Sequence, residues 1–325
     1  MSRVYRVGVL GCAHIAIRSL LPAFAKSSRF ELSGIASRDN HKAGSVASVY
    51  HCTAYDSYEA LLDNRDIDLV YIPLPTGLHY EWILRALNKG KHVMSEKSLA
   101  CSYKEVCELT ELARKKHLLL IENFQFRFHS QHQWVKELLS REELGELRCF
   151  RSSFGFPPFP DTGNIRYSKS LGGGSLLDAG AYTLKAMQFI LPTYSFTLRS
   201  ASLYQPAEME VDLYGGAYLD SEEGVIAELS FGFDNYYQCN YELWGSLGKL
   251  TVTRAFTAPS DLRPVVILEK QGFREEISLD SDDPFYNMLT HIAFCLDSGD
   301  FSEEYVQNLN QSRYLGQVKQ YCDGR

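Results

Sequence analysis

The feature that most constrains this chain is the rhythm of its first 123 residues, where short apolar runs alternate with helix-like stretches. Residues 4–10 and 30–36 read as strands, with helices over 15–26 and 39–50 after them. Residues 69–72 are apolar throughout, as a strand covered on both faces should be. Residues 92–94 and 118–121 read as two more buried strands. A helix over 78–89 meets Gly90 at a natural C-cap position. Ser102 and Glu105 have capping-box spacing, and Val106, Leu109 and Ala113 line one face of the helix they open. Strand–helix alternation with short connections requires right-handed crossovers and a parallel, doubly wound sheet.

After about Asn123 the pattern changes. From residue 147 the apolar runs lengthen and tend to alternate, most clearly over 196–256, with turn signals at 220–224 and 245–248. This predicts a mostly antiparallel sheet, joined by helices over 134–139, 284–296 and 303–321. Residues 156–174 are rich in Pro and Gly and predict a long loop of the kind that often carries function. For 325 residues the expectation is an α/β chain of two domains. Residues 1–123 are expected to form a Rossmann-type doubly wound domain, and residues 124–325 an α+β domain with a large open sheet.

Composition removes several classes. The formal net charge of −7 lacks the broad basic field of a nucleic-acid binder, and no window reaches the ~18 apolar residues of a membrane helix. The N-terminal residues run directly into a strand with no leader-like pattern. Eight cysteines without a CxxC pair predict free thiols rather than a zinc site or a disulfide framework, hence a cytoplasmic location.

The first strand ends in Gly11-Cys12-Ala13-His14-Ile15-Ala16, which sets Gly11, Ala13 and Ala16 in the frame of G-x-G-x-x-G. Gly11 can make the tight turn, Ala13 admits a pyrophosphate, and the N–H groups of Cys12, His14 and Ile15 would face it. A strand–helix turn lined by small residues reads the same way. The second strand ends without the usual acidic acceptor for a ribose diol. Ser37 and Arg38, with Lys42 a turn later, suit a 2′-phosphate, while Asp39 is expected to cap its own helix. The alternative is a solvated helix start. NADP(H) is therefore expected over NAD(H).

Three segments carry candidate chemistry. Lys97 follows Glu96 at the end of a parallel strand, where an ammonium can hold a developing alkoxide or donate a proton; a surface Lys–Glu pair is the bland alternative. Pro73 and Leu74 end the fourth strand, and Thr76 and His79 open the next helix, with His79 either facing a nicotinamide ribose or merely starting the helix. The run Gly172-Gly173-Gly174-Ser175 precedes Asp178 and Tyr182, which share a helix face; Tyr182 is a proton donor or a core aromatic. Arg166 could fork onto a diphosphate, or be a loop Arg in water. The aromatic cluster Phe233, Tyr236, Tyr237 and Tyr241 flanks a ligand or packs the sheet, with Tyr236 the substrate candidate.

Together these motifs, in this order, resemble the glucose–fructose oxidoreductase/inositol dehydrogenase (Gfo/Idh/MocA) family across the whole chain. Glu96-Lys97-Ser98 is similar to the family's E-K-P, and Gly172 to Tyr182 to its G-G-G-x-L-x-D-x-G-x-H. Ser98 in place of proline argues against a cis peptide at that point. Tyr182 in place of histidine resembles the family's NADPH-dependent nucleotide-sugar 3-ketoreductases, as do Pro160-Asp161-Thr162 and Tyr241-Glu242-Leu243-Trp244-Gly245-Ser246. The resemblance implies hydride transfer to a sugar ketone, with Lys97 and Tyr182 as the catalytic pair and the sugar over the open sheet. An NAD(P)-dependent dehydrogenase of a free sugar, polyol or dihydrodiol, and a non-catalytic dinucleotide sensor, are the rival readings. An apolar face on the open sheet is expected to be covered by a second copy, giving a homodimer or homotetramer.

Overall fold

The computed structural model describes residues 3–161 and 163–324; Met1, Ser2, Arg325 and Thr162, of the Pro160-Asp161-Thr162 stretch, lie outside the described residues. The chain divides into two compact units, the first taking residues up to 123 together with 285–312, the second taking 124–284 and residues from 313 onward. The single break expected after residue 123 therefore needs amending, because residues 285–312 return to the first unit.

The first unit holds six parallel strands, β1 (Tyr5–Leu10), β2 (Phe30–Ala36), β3 (Thr53–Tyr55), β4 (Leu69–Ile72), β5 (His92–Glu96) and β6 (Leu120–Asn123). Their order is β3-β2-β1-β4-β5-β6, the doubly wound arrangement whose direction reverses between β1 and β4. β4 is buried along its whole length, as its unbroken apolar run requires. The connecting helices are α1 (Leu21–Lys26), α2 (Asn40–Val49), α3 (Tyr58–Asp63), α4 (Thr76–Asn88) and α5 (Tyr103–Lys116). Ser102 caps α5 at the position read from the sequence, accepting the Glu105 N–H at 3.3 Å, and its hydroxyl donates to the Glu105 carboxylate at 3.0 Å.

The returning segment has a physical cause at the edge of this sheet. β6 has no strand partner on its outer side, and its acceptors must be satisfied by something else. Tyr305 donates to the Leu118 carbonyl at 2.6 Å and Asn308 to the Leu120 carbonyl at 2.8 Å.

The second unit holds α6 (Ser130–Ser140), α7 (Ala181–Ile190) and an eight-stranded sheet. Its strands are β7 (Leu147–Gly155), β8 (Phe196–Tyr204), β9 (Tyr214–Ser221), β10 (Ile226–Gly232), β11 (Gln238–Gly245), β12 (Gly248–Val252), β13 (Val265–Lys270) and β14 (Phe273–Ser278). The order is β14-β13-β12-β11-β7-β10-β9-β8, and among the described residues of this sheet only β7 and β10 pair in parallel. The crossover that this pair demands contains the long loop and α7, which lies against both strands. Phe150, Phe154, Phe231, Tyr241 and Leu243 fill the covered face.

The open face is mixed rather than the apolar surface expected, with exposed Tyr214, Tyr218 and Trp244 beside ion pairs. Strand alternation sends Arg151, Glu228, Glu242, Lys249 and Glu269 outward, and they pair across the strands. Arg151 also lies over the Trp244 ring, 5.1 Å from its centroid. The closing helices are α8 (Pro284–Ser298) and α9 (Ser302–Asp323). Among the described residues no helix is long and apolar enough to cross a membrane.

Candidate active site

At the carboxyl end of β1, Gly11 adopts φ +117°, and a Cβ there would meet Leu74 Cδ2 at 3.0 Å, so glycine suits this turn on both counts. Its N–H donates to the Ala36 carbonyl at 2.8 Å, which joins the ends of β1 and β2. Cys12 is buried, Ala13 and Ile15 are half-buried and His14 is exposed. The helix then begins with a wide π-type turn, Ala16–Leu20, directly before Pro22, whose ring nitrogen has no proton to donate to a regular ladder.

The end of β2 lies against this turn. Burial raises the Cys12 thiol above its usual range, while the Lys42 charge and a hydrogen bond with Ser37 oppose the rise. Arg38 and Lys42 are exposed. Asp39 accepts the Lys42 backbone N–H at 3.0 Å and caps α2, so its carboxylate is committed to its own helix. The vicinity thus offers a hydroxyl and two cations, a donor set that fits a 2′-phosphate better than a bare ribose diol.

Pro73 is buried, Leu74 lies against Gly11, and Thr76 opens α4 half-buried. His79 overturns its expected contact with a ribose. It is fully buried, with Nδ1 2.7 Å from the Ser98 carbonyl and Nε2 2.7 Å from the Leu74 carbonyl. Burial lowers its pKa to about 4, helped by the Lys97 charge and opposed by the two carbonyls. The ring is therefore neutral near pH 7 and has one N–H to share between two acceptors.

Glu96, half-buried at the end of β5, accepts from the Tyr71 hydroxyl at 2.7 Å and the Asn123 amide at 2.5 Å. Burial raises its carboxyl above the usual range, although those hydrogen bonds and Lys97 pull the other way. Lys97 is half-buried rather than a surface lysine. The Lys97–Ser98 peptide is cis, which corrects the sequence expectation. That expectation weighed only the residue type at position 98. The surrounding fold holds the Ser98 carbonyl at His79 and the Leu99 N–H at Glu122 Oε1, 2.9 Å away, and neither partner is visible from the local sequence.

In the second unit the triple glycine has a steric reason. A Cβ on Gly173 would come within 2.4 Å of the Arg166 carbonyl oxygen, and one on Gly174 within 2.5 Å of Asp212 Oδ1. Asp212 Oδ2 accepts from the Ser175 hydroxyl at 2.6 Å and the Leu176 N–H at 2.8 Å. It thereby caps a π-type turn, Leu176–Gly180, that runs on into α7. Asp212 has no local motif and went unnoticed in the sequence; it lies 36 residues from Leu176.

Asp178, in that turn, takes Arg166 Nε at 2.5 Å, so the loop arginine is not free in water as one reading had it. The Arg166 guanidinium lies over the Phe159 ring, 4.8 Å from its centroid. Burial lowers its pKa from the usual range, while Tyr182 and Tyr167 oppose this electrostatically. Arg166, Asp178 and Tyr182 thus form one neighbourhood. The Tyr182 ring packs among Phe124, Phe126, Phe154 and Phe256 at centroid distances of 5.3, 5.9, 5.0 and 5.6 Å. The core-aromatic reading is correct for the ring and leaves a role for the hydroxyl. Phe233 and Tyr241 are core residues, and the Tyr237 hydroxyl meets Thr257 at 3.0 Å. Tyr236 is 87 % exposed and packs against nothing that would aim it.

Residues 5–124 match the model of the oxidoreductase family with an NAD-binding Rossmann fold, and residues 132–251 that of the GFO/IDH/MocA C-terminal domain. The chain is 41 % identical over 331 residues, 98 % of each chain, to a dTDP-3,4-didehydro-2,6-dideoxy-alpha-D-glucose 3-reductase of Saccharopolyspora spinosa. It is 39 % identical to the reductase of the same name from Actinomadura kijaniata, over 97 % of this chain and 94 % of that one. A crystal structure of a 3-ketoreductase from Actinomadura kijaniata, in complex with NADP and TDP-benzene, superposes with a TM-score of 0.95, 38 % identity and 98 % coverage of both chains. Lysine-to-alanine and tyrosine-to-phenylalanine variants of that enzyme have also been solved. The chain belongs to the Gfo/Idh/MocA family of oxidoreductases.

Proposed function

We propose that the protein uses NADPH to reduce the keto group of a dTDP-linked deoxyhexose. Likeness over 98 % of both chains to a dTDP-keto-sugar 3-reductase carries this reading. The donor set at the ends of β1 and β2 supports the cofactor. The N–H groups of Cys12, Ala13, His14 and Ile15 would meet the pyrophosphate, and Ser37, Arg38 and Lys42 the 2′-phosphate. When bound, the dinucleotide supplies the hydride.

The chain's own residues manage the charge that the hydride creates on the carbonyl oxygen. Tyr182 donates a proton to that oxygen from a ring whose aromatic neighbours fix its direction. Lys97 holds the developing alkoxide, and either group can be the proton donor. Arg166 meets the substrate diphosphate, while Asp178 holds it ready at the turn before Tyr182. Glu96, Pro73, Leu74 and Thr76 shape the nicotinamide end. A second copy covers the charged, Trp244-bearing face of the large sheet, and the enzyme works in the cytoplasm.

The test is direct. Purified protein is mixed with NADPH and a dTDP-linked 3-keto-deoxyhexose, and absorbance of the reduced nicotinamide is followed. Rapid oxidation is expected, with little when the same sugar lacks the nucleotide. Tight NADPH binding without oxidation by any nucleotide-linked keto-sugar would overturn the reading.

A further inference from the structure

Lys97 is a long, flexible side chain, so its aim depends on the backbone that carries it. A proline at position 98 would fix the local φ through its ring; serine does not. Yet Ser98 and Leu99 are both buried, and both polar groups that follow Lys97 are held by buried side chains from elsewhere. The Ser98 carbonyl lies 2.7 Å from His79 Nδ1, and the Leu99 N–H donates to Glu122 Oε1 at 2.9 Å. His79 belongs to α4, the helix that follows β4, and Glu122 belongs to β6. His79 thus reaches the exit of β5 from the helix that follows β4, and Glu122 reaches it from the neighbouring strand β6. The other nitrogen of the His79 ring faces the Leu74 carbonyl at 2.7 Å, and Leu74 is the residue that packs against the Gly11 turn.

We infer that His79 and Glu122 are positioning residues, a clamp that fixes the Lys97-Ser98-Leu99 backbone and sets the aim of the Lys97 ammonium. This rests on Lys97 serving the reductase reaction proposed above. Neither clamp residue touches the reacting atoms. Displacing a reacting group by about 1 Å can cost ~10²-fold in rate, so a slackened clamp should appear in kcat rather than in binding.

The full-length enzyme is compared with Glu122→Gln, Glu122→Leu, His79→Asn, Ser98→Pro and the double variant His79→Asn/Ser98→Pro. Glu122→Gln keeps an acceptor for the Leu99 N–H and should hold kcat within about threefold. Glu122→Leu and His79→Asn should lose roughly 10–100-fold in kcat, with NADPH affinity and the KM for keto-sugar changed far less. Ser98→Pro alone should be near wild type. Added to His79→Asn it should recover most of the lost kcat without restoring the melting temperature, because a ring-fixed φ replaces the clamp and not the packing.

A second readout does not depend on turnover. After reductive ¹³C-methylation, the Lys97 resonance, assigned with Lys97→Arg, should move in His79→Asn and return in the double variant. An unchanged kcat and Lys97 resonance in soluble His79→Asn would refute the clamp, as would a double variant that recovers neither. A wild-type enzyme inactive on keto-sugars, whose Lys97 resonance still follows this pattern, would sink the reductase reading and leave the clamp standing.

Discussion

Lys97 and Tyr182 do one job by proposal, but the two units hold them by different means. The lysine stands on a backbone gripped through hydrogen bonds from buried His79 and Glu122. The tyrosine is held as a ring, among four phenylalanines, on a helix start capped by Asp212 and linked to the loop by Arg166 and Asp178. A flexible cation must be aimed from its root, whereas a rigid phenol can be aimed by its walls. The difference also divides the cost of losing each residue: the lysine should matter chiefly to rate, the tyrosine to rate and to stability.

The strongest test of that division is a set of three substitutions. Lys97→Ala and Tyr182→Phe should each lower kcat by ~10²–10⁴-fold in steady-state assays. Tyr182→Phe should melt closer to wild type than Tyr182→Ala, because the phenylalanine keeps the ring. Tyr182→Ala should in addition lose about 3–5 kcal/mol of stability in urea titrations, the usual cost of removing a buried aromatic ring. A Lys97→Ala enzyme as unstable as Tyr182→Ala would break the comparison.

Next in size is an effect confined to the first unit. Replacing Arg38 and Lys42 by alanine removes two charges suited to a 2′-phosphate, each charge-assisted contact being worth about 1.5–3 kcal/mol. The preference for NADPH over NADH, measured as a ratio of dissociation constants, should fall by at least ~10-fold. The kcat at saturating cofactor should hold. If the preference survives, the 2′-phosphate is read by residues other than these.

The smallest effect separates the units by pH. In α8, His291 meets the Glu304 carboxylate at 2.9 Å. Burial works against its charge, but hydrogen bonds to Cys295 and Glu304 overcome this and raise its pKa to about 9. A histidine raised from 6.5 to about 9 stabilises the fold fully below pH 6.5, and this support drains away as pH climbs through 9. In the second unit burial instead lowers buried His132 to about 3, so it is already neutral throughout that window. Hydrogen-exchange protection factors should therefore fall in α8 and not in α6 between pH 6.5 and 9. Equal losses in both helices would remove His291 as the cause.

What could be read from the sequence was what is written locally. Ser102 caps as its spacing from Glu105 says, Gly90 sits at positive φ after α4, and Asp39 turns to its own helix. Local pattern also located the turn at Gly11, the strand end at Lys97 and the helix bearing Tyr182. What escaped was long-range. The contacts of Ser98 and Leu99 reach partners 19 and 23 residues away, the Asp212 cap one 36 away, and residues 285–312 an edge strand far back in the chain. His79 misled for the same reason, since a histidine at a helix start looks available for a ligand until its two carbonyl neighbours are known. The open sheet face misled in another way. Alternation correctly sends every second residue outward but says nothing about whether Arg151, Glu228 and Glu242 will find one another across strands that are distant in sequence.

Within the large sheet, the parallel pairing of β7 with β10 has an evolutionary consequence. Because the two strands run the same way, the loops that leave Gly155 and Gly232 emerge at one rim, and the segment joining the strands brings Arg166, Asp178 and Tyr182 along. Mutation can lengthen or redraw those rim segments without touching a ladder hydrogen bond. A lineage could retune which sugar it accepts by editing one stretch of chain, while the sheet beneath it keeps its ladder.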